Sequence, residues 1–286
     1  MTDSINFHNA QVEDILSLDK IRATLQRMED TIVFNLIERA QFAYNARMYE
    51  NGAFPDLQQK ERWSGSWLAW LLKETECSHA KLGRWIAPDE YAFTPLQDMP
   101  EPILKPVDYP NLLHPHHVNV SSKVLEFYTH KIVPQITEGL NRVSDDHQYG
   151  SSAICDVEAL SAINRRVHFG MFVSESKFRS DPAAFIGPIQ QHDRDALAAL
   201  ITKPAVEAIL LERVRQKAEI YGQNLDQKMD DPNREKFRKI QAQEVVHLYK
   251  EFIIPLTKEV EVDYLLERLD GLAPDEIAAL AQRKPN

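Results

Sequence analysis

Apolar residues recur every three or four positions at Leu18, Ile21, Leu25, Met28, Ile32 and Leu36, marking one buried face of a long helix. The two-residue alternation of a half-buried strand is hard to find anywhere along the chain. The tryptophan-rich run WSGSWLAWLLKETECSHAKL predicts a second helix, with Trp63, Trp67, Trp70, Leu71 and Leu82 on its buried face. Seven prolines between Pro88 and Pro115 disfavour helix in themselves and in the residues before them, so this stretch reads as an extended connector. Helix resumes over Ser122 to Leu140, breaks over NRVSDDHQYGSS, and runs from about Ala153 to Arg179, where Pro182 stops it. Another helix opens at Pro204 and closes near Gly222. The polar run Gln223 to Arg234 reads as a loop, and a last helix covers roughly Ala242 to Leu269, bent at Pro255.

The pattern therefore predicts an all-α protein. With 286 residues, 43% hydrophobic, the chain can bury a substantial core, and no repeat or clear boundary divides it. One domain, 1–286, is expected. Nine glycines, none between Gly83 and Gly139, leave no room for a glycine-rich phosphate cradle. The formal charge of −10 opposes nonspecific association with nucleic acid or anionic membrane, so an anionic ligand requires a local cluster of cations. No apolar stretch approaches the roughly 20 residues of a membrane span, and the N-terminus lacks a secretory pattern, so a cytoplasmic protein is expected. Cys77 and Cys155 stand without metal-ligand spacing and read as two reduced thiols.

Two segments carry candidate chemistry. In SAINRRVHFGMFVSESKF, Arg166 and Lys177 are eleven residues apart. At about 100° and 1.5 Å per residue they return to one helix face about 16 Å apart, a spacing that permits a clamp on a small anion. In PLTKEVEVDYLLERL, Thr257 and Glu261 share a face with Val260 and Tyr264 nearby, a setting that raises a carboxyl pKa. By spacing alone, both segments equally fit solvated, charged helix faces.

Read together with LDKIRATLQRMEDTIVFNLIERAQF and KPAVEAILLERVRQKAEIYG, these segments resemble, in sequence and in order, the fungal-type, yeast-like chorismate mutases. The resemblance covers roughly residues 15 to 270 and leaves 271–286 as a peripheral tail. It implies an elongated bundle of about twelve helices, of the chorismate mutase type II kind, with catalytic and regulatory regions interleaved, and a homodimer. The reaction implied is the cofactor-free, metal-free pericyclic rearrangement of chorismate to prephenate, on the branch to phenylalanine and tyrosine. By the same resemblance Arg22 and Arg166 engage the two substrate carboxylates, Lys177 the ether oxygen and Glu207 the substrate hydroxyl. Thr257 and Glu261 complete the pocket, with Glu261 beside the breaking bond. Lys203 stands where better-known members have Asn.

Tyrosine inhibition and tryptophan activation are implied at a dimer-interface site matched by Arg84, Gly150 and Ser151. Gly83 replaces a second arginine of that site, and Gln241 a threonine tied to switching between activity states. The mechanism asks Glu261 to be protonated, since a carboxylate repels the oxyanion that forms as the ether bond lengthens. From another class, a helical interaction protein that kept the fold and lost the reaction is the alternative. A metal site at His114-Pro-His116-His117 is a further reading, against which loop histidines in contact with solvent are preferred, and His168 is expected to pack rather than catalyse.

Overall fold

The structure, a computed structural model, describes residues 11–137, 143–223 and 238–283, and its regular elements are helical throughout. In order they are α1 (Val12–Ile15), α2 (Leu18–Arg39), α3 (Pro55–Glu61), α4 (Trp67–Lys81), α5 (Ser121–Phe127), α6 (Val133–Thr137) and α7 (Tyr149–His168). There follow α8 (Gly170–Ser180), α9 (Pro182–Gln190), α10 (Arg194–Ile201), α11 (Pro204–Tyr221), α12 (Ala242–Leu248), α13 (Ile254–Glu267) and α14 (Pro274–Ala281). Short 3₁₀ turns lie at Ala46–Tyr49 and Leu96–Asp98. No described helix is long and apolar enough to cross a membrane.

The apolar stripe of α2 is buried as its spacing requires, with Ile21, Met28, Ile32 and Leu36 inside and Leu25 half-buried. On α4 the expectation fails. The buried residues are Leu68, Leu72, Glu76 and Ala80, while Leu82 is 75% exposed and the three tryptophans are half-buried. Leu68 and Leu72 turn to the core, whereas Trp67 leans on Trp70 and on Phe54 in a lateral aromatic group. A run of bulky residues thus misreads the face by one position.

Proline begins more helices than it ends. Pro55, Pro182, Pro204 and Pro274 all sit in first turns, where the missing N–H has no partner to lose. Pro182, read as a stop, is therefore also a start. Two more prolines follow π turns: Tyr128–Ile132 joins α5 to α6 ahead of Pro134, and Tyr249–Ile253 joins α12 to α13 ahead of Pro255. In each, the carbonyl four residues before the proline, at His130 or Glu251, is at the centre of the widened turn. There the turn relieves the clash with the ring. Where a bend is expected at Pro255, the structure has this π turn, ending two residues before the proline.

The helix expected from Ala153 to Arg179 begins earlier, at Tyr149, and is interrupted at Phe169, where the Phe172 N–H donates to the Phe169 carbonyl in a tightened turn. The loop expected over 223–234 lies almost wholly outside the described residues.

Three apolar clusters meet around one point. The largest joins α2, α7, α12 and α13 through Ile32, Leu36, Leu160, Ile163, Leu248 and Val260. A second joins α8, α9, α10 and the end of α13 through Phe178, Phe185, Leu197 and Leu265, with Ile277 and Leu280 of α14 packed against it. A third holds Ile15, Ile21, Met28, Phe169 and Phe172. Glu261 sits between Val260 of the first and Val262 of the second, which is why an acid at this position is buried.

Candidate active site

Where the clusters meet, a cavity of about 150 Å³ opens between α2, α7, α8, α11 and α13. It is small beside the roughly 300–1,000 Å³ of pockets for drug-sized ligands, and so selects a small molecule. Arg22, Arg166, Lys177, Lys203, Glu207, Thr257 and Glu261 all line it, with Leu18, Ile21, Leu25, Val173, Ile201 and Val206 among the apolar walls. Every residue marked as catalytic or substrate-binding in the sequence is present. One lining cation was missed: Lys258, whose Nζ lies 2.7 Å from Glu207 Oε1. The spacing Ile254, Thr257, Lys258, Glu261 already places it on the stripe that faces the cavity. With five cationic side chains against two acids, the cavity is positive inside a molecule of charge −10.

Two buried arginines show what the cavity asks of Arg166. Arg39 is fully buried and fully partnered, its Nε 2.7 Å from Asp156 Oδ1 and its other nitrogens donating to the carbonyls of Phe42, Ala43 and Tyr44 and to the Tyr49 hydroxyl. Asp156 also accepts from Tyr49 and Tyr128. That network is satisfied and structural. Arg166, 4% exposed, has a single long contact of 3.4 Å from Nη1 to Thr257 Oγ1, and its Nε has no hydrogen-bond partner among the described residues. A buried guanidinium left unsatisfied costs free energy that an anion in the cavity recovers.

Glu261 and Lys177 face one another electrostatically. Burial pushes the Glu261 carboxyl up to about 7, against the pull of Lys177, Arg166 and Lys258 and with a smaller push from Glu207. The Lys177 ammonium is lowered first by burial, and also by Lys203 and Arg22, while Glu261 opposes the shift. Lys177 Nζ is held by the Ile201 carbonyl at the end of α10, so its position is set before any ligand arrives. Near neutral pH the cavity thus offers a carboxylic acid and an anchored ammonium as donors.

Gly170 explains how α13 comes so close. A Cβ built there lies 2.9 Å from Thr257 Cγ2, 3.0 Å from Glu261 Cγ and 3.2 Å from the Thr257 carbonyl. Only a residue without a side chain lets α8 start against the two pocket residues of α13. Gly170→Ala is expected to lower stability by roughly 1–3 kcal/mol. It should also lower kcat several-fold, because the backbone and both side chains must move. Urea denaturation and steady-state kinetics on one preparation check both.

The regulatory residues are not brought together within the chain. Arg84 pairs with Glu90 at 2.5 Å and stacks over Trp85, and Gly83 adopts φ +83°. This corner lies at the C-terminal half of α7, where Arg165 bonds Asp89 and Asn164 bonds the Tyr91 carbonyl. Gly150 and Ser151 occupy the first turn of α7, some fifteen residues or about 22 Å away. Gln241 is the residue immediately before α12, and its side chain makes no capping hydrogen bond to that helix.

The histidines take other roles. His168, fully buried, accepts from the Val120 N–H at Nε2 and donates from Nδ1 to the Asn164 carbonyl, and burial pushes it down to about 4. Of the three connector histidines only His117 is exposed. His114 bonds the Asp270 carbonyl and His116 the Tyr91 hydroxyl, so the expectation of solvent-facing loop histidines holds for one of three. No group of metal ligands is found among the described residues.

The family described as chorismate mutase type II matches residues 148–262. The chain is 43% identical over 261 residues to chorismate mutase 3, chloroplastic, of Arabidopsis thaliana, spanning 90% of this chain and 79% of that protein. It is 42% identical over 265 residues to chorismate mutase of Trichoderma parareesei, spanning 91% of this chain and 96% of that protein. Among solved structures it is similar to the Aro7p chorismate mutase from Candida albicans in complex with L-Trp, at a TM-score of 0.85 and 40% identity over 96% of this chain and 99% of that one. It is also similar to AtCM1 with tyrosine bound in an allosteric site, at a TM-score of 0.77 and 40% identity over 90% of this chain and 98% of that one.

Proposed function

The chain belongs to the chorismate mutase family, and from that premise we propose that its cationic cavity rearranges chorismate to prephenate. The observation that carries the reading is the buried Arg166, short of partners, facing a small cavity in which cations outnumber acids. A dianion supplies what that cavity lacks.

The reaction is intramolecular: a carbon–oxygen bond breaks as a carbon–carbon bond forms. Arg22 and Arg166 hold the two carboxylates by paired hydrogen bonds and so select the compact conformer in which the reacting carbons approach. Negative charge gathers on the ether oxygen as its bond lengthens. Lys177 and protonated Glu261 donate to that oxygen more strongly in the transition state than in the ground state. Glu207 accepts from the substrate hydroxyl and is aimed by Lys258, with Lys203 adding positive charge at the rim. An acceleration of about a millionfold needs on the order of 8 kcal/mol, which positioning and electrostatics share.

The test is the disappearance of chorismate after exhaustive metal chelation and dialysis. Turnover unaffected by that treatment and lowered about a thousandfold in Arg166→Ala supports the reading, and no turnover by the intact protein overturns it.

The proposal extends to a cytoplasmic homodimer regulated by aromatic amino acids. Arg84 and the Gly150–Ser151 turn lie at opposite ends of the α4–α7 pair, each beside exposed apolar residues: Leu82, Ile103 and Leu104 at one end, Ile154 at the other. A two-fold dimer that apposes the two ends joins both halves of an effector site. Structures of relatives with tryptophan or tyrosine bound support this extension. Sedimentation is expected to give twice 32.9 kDa. Tyrosine is expected to lower the initial rate and tryptophan to raise it. A monomer with flat responses to both would remove this part of the proposal while leaving the catalytic part standing.

A further inference from the structure

A second cavity, about 470 Å³, lies between α8, α9 and α14 on the far side of α8 from the Lys177 ammonium. Its polar lining is His114, Arg179, Arg268, Glu276 and Arg283, and its apolar wall comprises Phe178, Pro182, Leu272, Ala279 and Leu280. The charges leave a positive excess. Beneath the cavity, the fully buried Glu175 accepts from Arg179 Nε at 2.6 Å, from Arg268 Nε at 2.6 Å and Nη2 at 3.1 Å, and from the Tyr264 hydroxyl at 2.7 Å. One carboxylate thus serves two guanidiniums. Glu276 is turned aside, its Oε2 accepting from the Ala273 N–H at 2.7 Å, and His114 Nε2 is spent on the Asp270 carbonyl.

The two arginines are held rigidly from below: Arg268 stacks 4.4 Å from the Phe178 ring centre, and Arg179 Nη2 reaches the Leu112 carbonyl. Neither Nη1 has a hydrogen-bond partner among the described residues. The Nη1 amino groups left over, one on each anchored arginine, together with the apolar wall match a carboxylate on a hydrophobic body, each oxygen accepting from one arginine. We propose that this cavity binds a small amphipathic carboxylate, its charged end between Arg179 and Arg268 and its apolar end against Leu272, Ala279 and Leu280. The site is separate from the catalytic cavity and stands independently of the function proposed above.

The test uses 3-phenylpropionate as the probe, with acetate carrying the charge alone and 3-phenylpropan-1-ol the apolar body alone, in calorimetric titrations of the full chain. Arg179 and Arg268 neutralise Glu175, so they are left intact. Ala279→Trp fills the exposed wall and Arg283→Glu reverses the rim charge, both at surface positions, and thermal melting confirms their folding. The expected result is binding of 3-phenylpropionate at least about tenfold tighter than either half-probe, weakened about tenfold or more by each variant and retained in Arg166→Ala. Binding that survives both surface variants, or half-probes as tight as the whole, overturns the proposal. So does binding lost only in Arg166→Ala, which assigns the probe to the catalytic cavity and leaves the catalytic reading untouched.

Discussion

Arg166→Ala is expected to lower kcat/KM roughly a thousandfold while leaving the empty protein at least as stable as the wild type. The first half follows from removing a charge-assisted pair of hydrogen bonds to a carboxylate. At about 1.5–3 kcal/mol each, these amount to two to four powers of ten in rate. The second half follows from what Arg166 lacks: buried, touching Thr257 only at 3.4 Å and unpartnered at Nε, it is a desolvated cation that the folded protein tolerates rather than uses. Its neighbour supplies the contrast. Arg165 lies outside the cavity and pairs with Asp89, which is 1% exposed, so Arg165→Ala strands a buried carboxylate, destabilising the fold by several kcal/mol while the catalytic groups stay in place. Denaturation curves and steady-state kinetics for the two variants should therefore rank in opposite orders. If Arg166→Ala loses stability in proportion to activity, the residue belongs to the scaffold.

The second large effect is on pH dependence. Glu261 donates only while protonated, and burial brings its pKa to about 7 in the empty cavity, so kcat/KM should fall about tenfold per pH unit above that value. A bound dianion disfavours ionisation further, so the limb seen in kcat should lie at higher pH than the limb in kcat/KM. Lys177, itself lowered by burial, loses activity in the same direction when it gives up its proton. Glu261→Gln separates the two, because an amide donates without titrating: the limb near 7 disappears and only that of Lys177 remains. An unchanged profile in Glu261→Gln would show that another group controls the rate. Because Arg166 pulls the Glu261 pKa down, Arg166→Ala should also move what activity remains to higher pH.

Long elements and their chemistry were legible in the sequence. The α2 stripe and the Pro204–Gly222 bounds of α11 follow from periodicity and from where proline and glycine sit. The residue types lining the cavity came from four blocks read in register. What stayed hidden has physical reasons. The helices α9, α10 and α14, of eight or nine residues, are too short for a period to stand out. On α4, large tryptophans masked the smaller Leu68 and Leu72 that actually face the core. Lys258 is on the visible stripe of α13, but a lysine among glutamates looks like a solvated face until its partner on α11 is known. Gly170 is invisible for the same reason: what a glycine makes room for is on another helix.

The π turn ahead of α13 carries one residue more than an α-helix of the same path would hold. That extra residue sets the screw phase of everything downstream. Rewound without it, the rod would keep its length to within one residue, yet Thr257 and Glu261 would swing about 100° around the axis, from the cavity wall to packed neighbours. The catalytic face of this helix is thus specified by counting as much as by composition. Within YKEFI, a substitution acts on one contact, whereas a one-residue insertion or deletion re-aims the whole stripe.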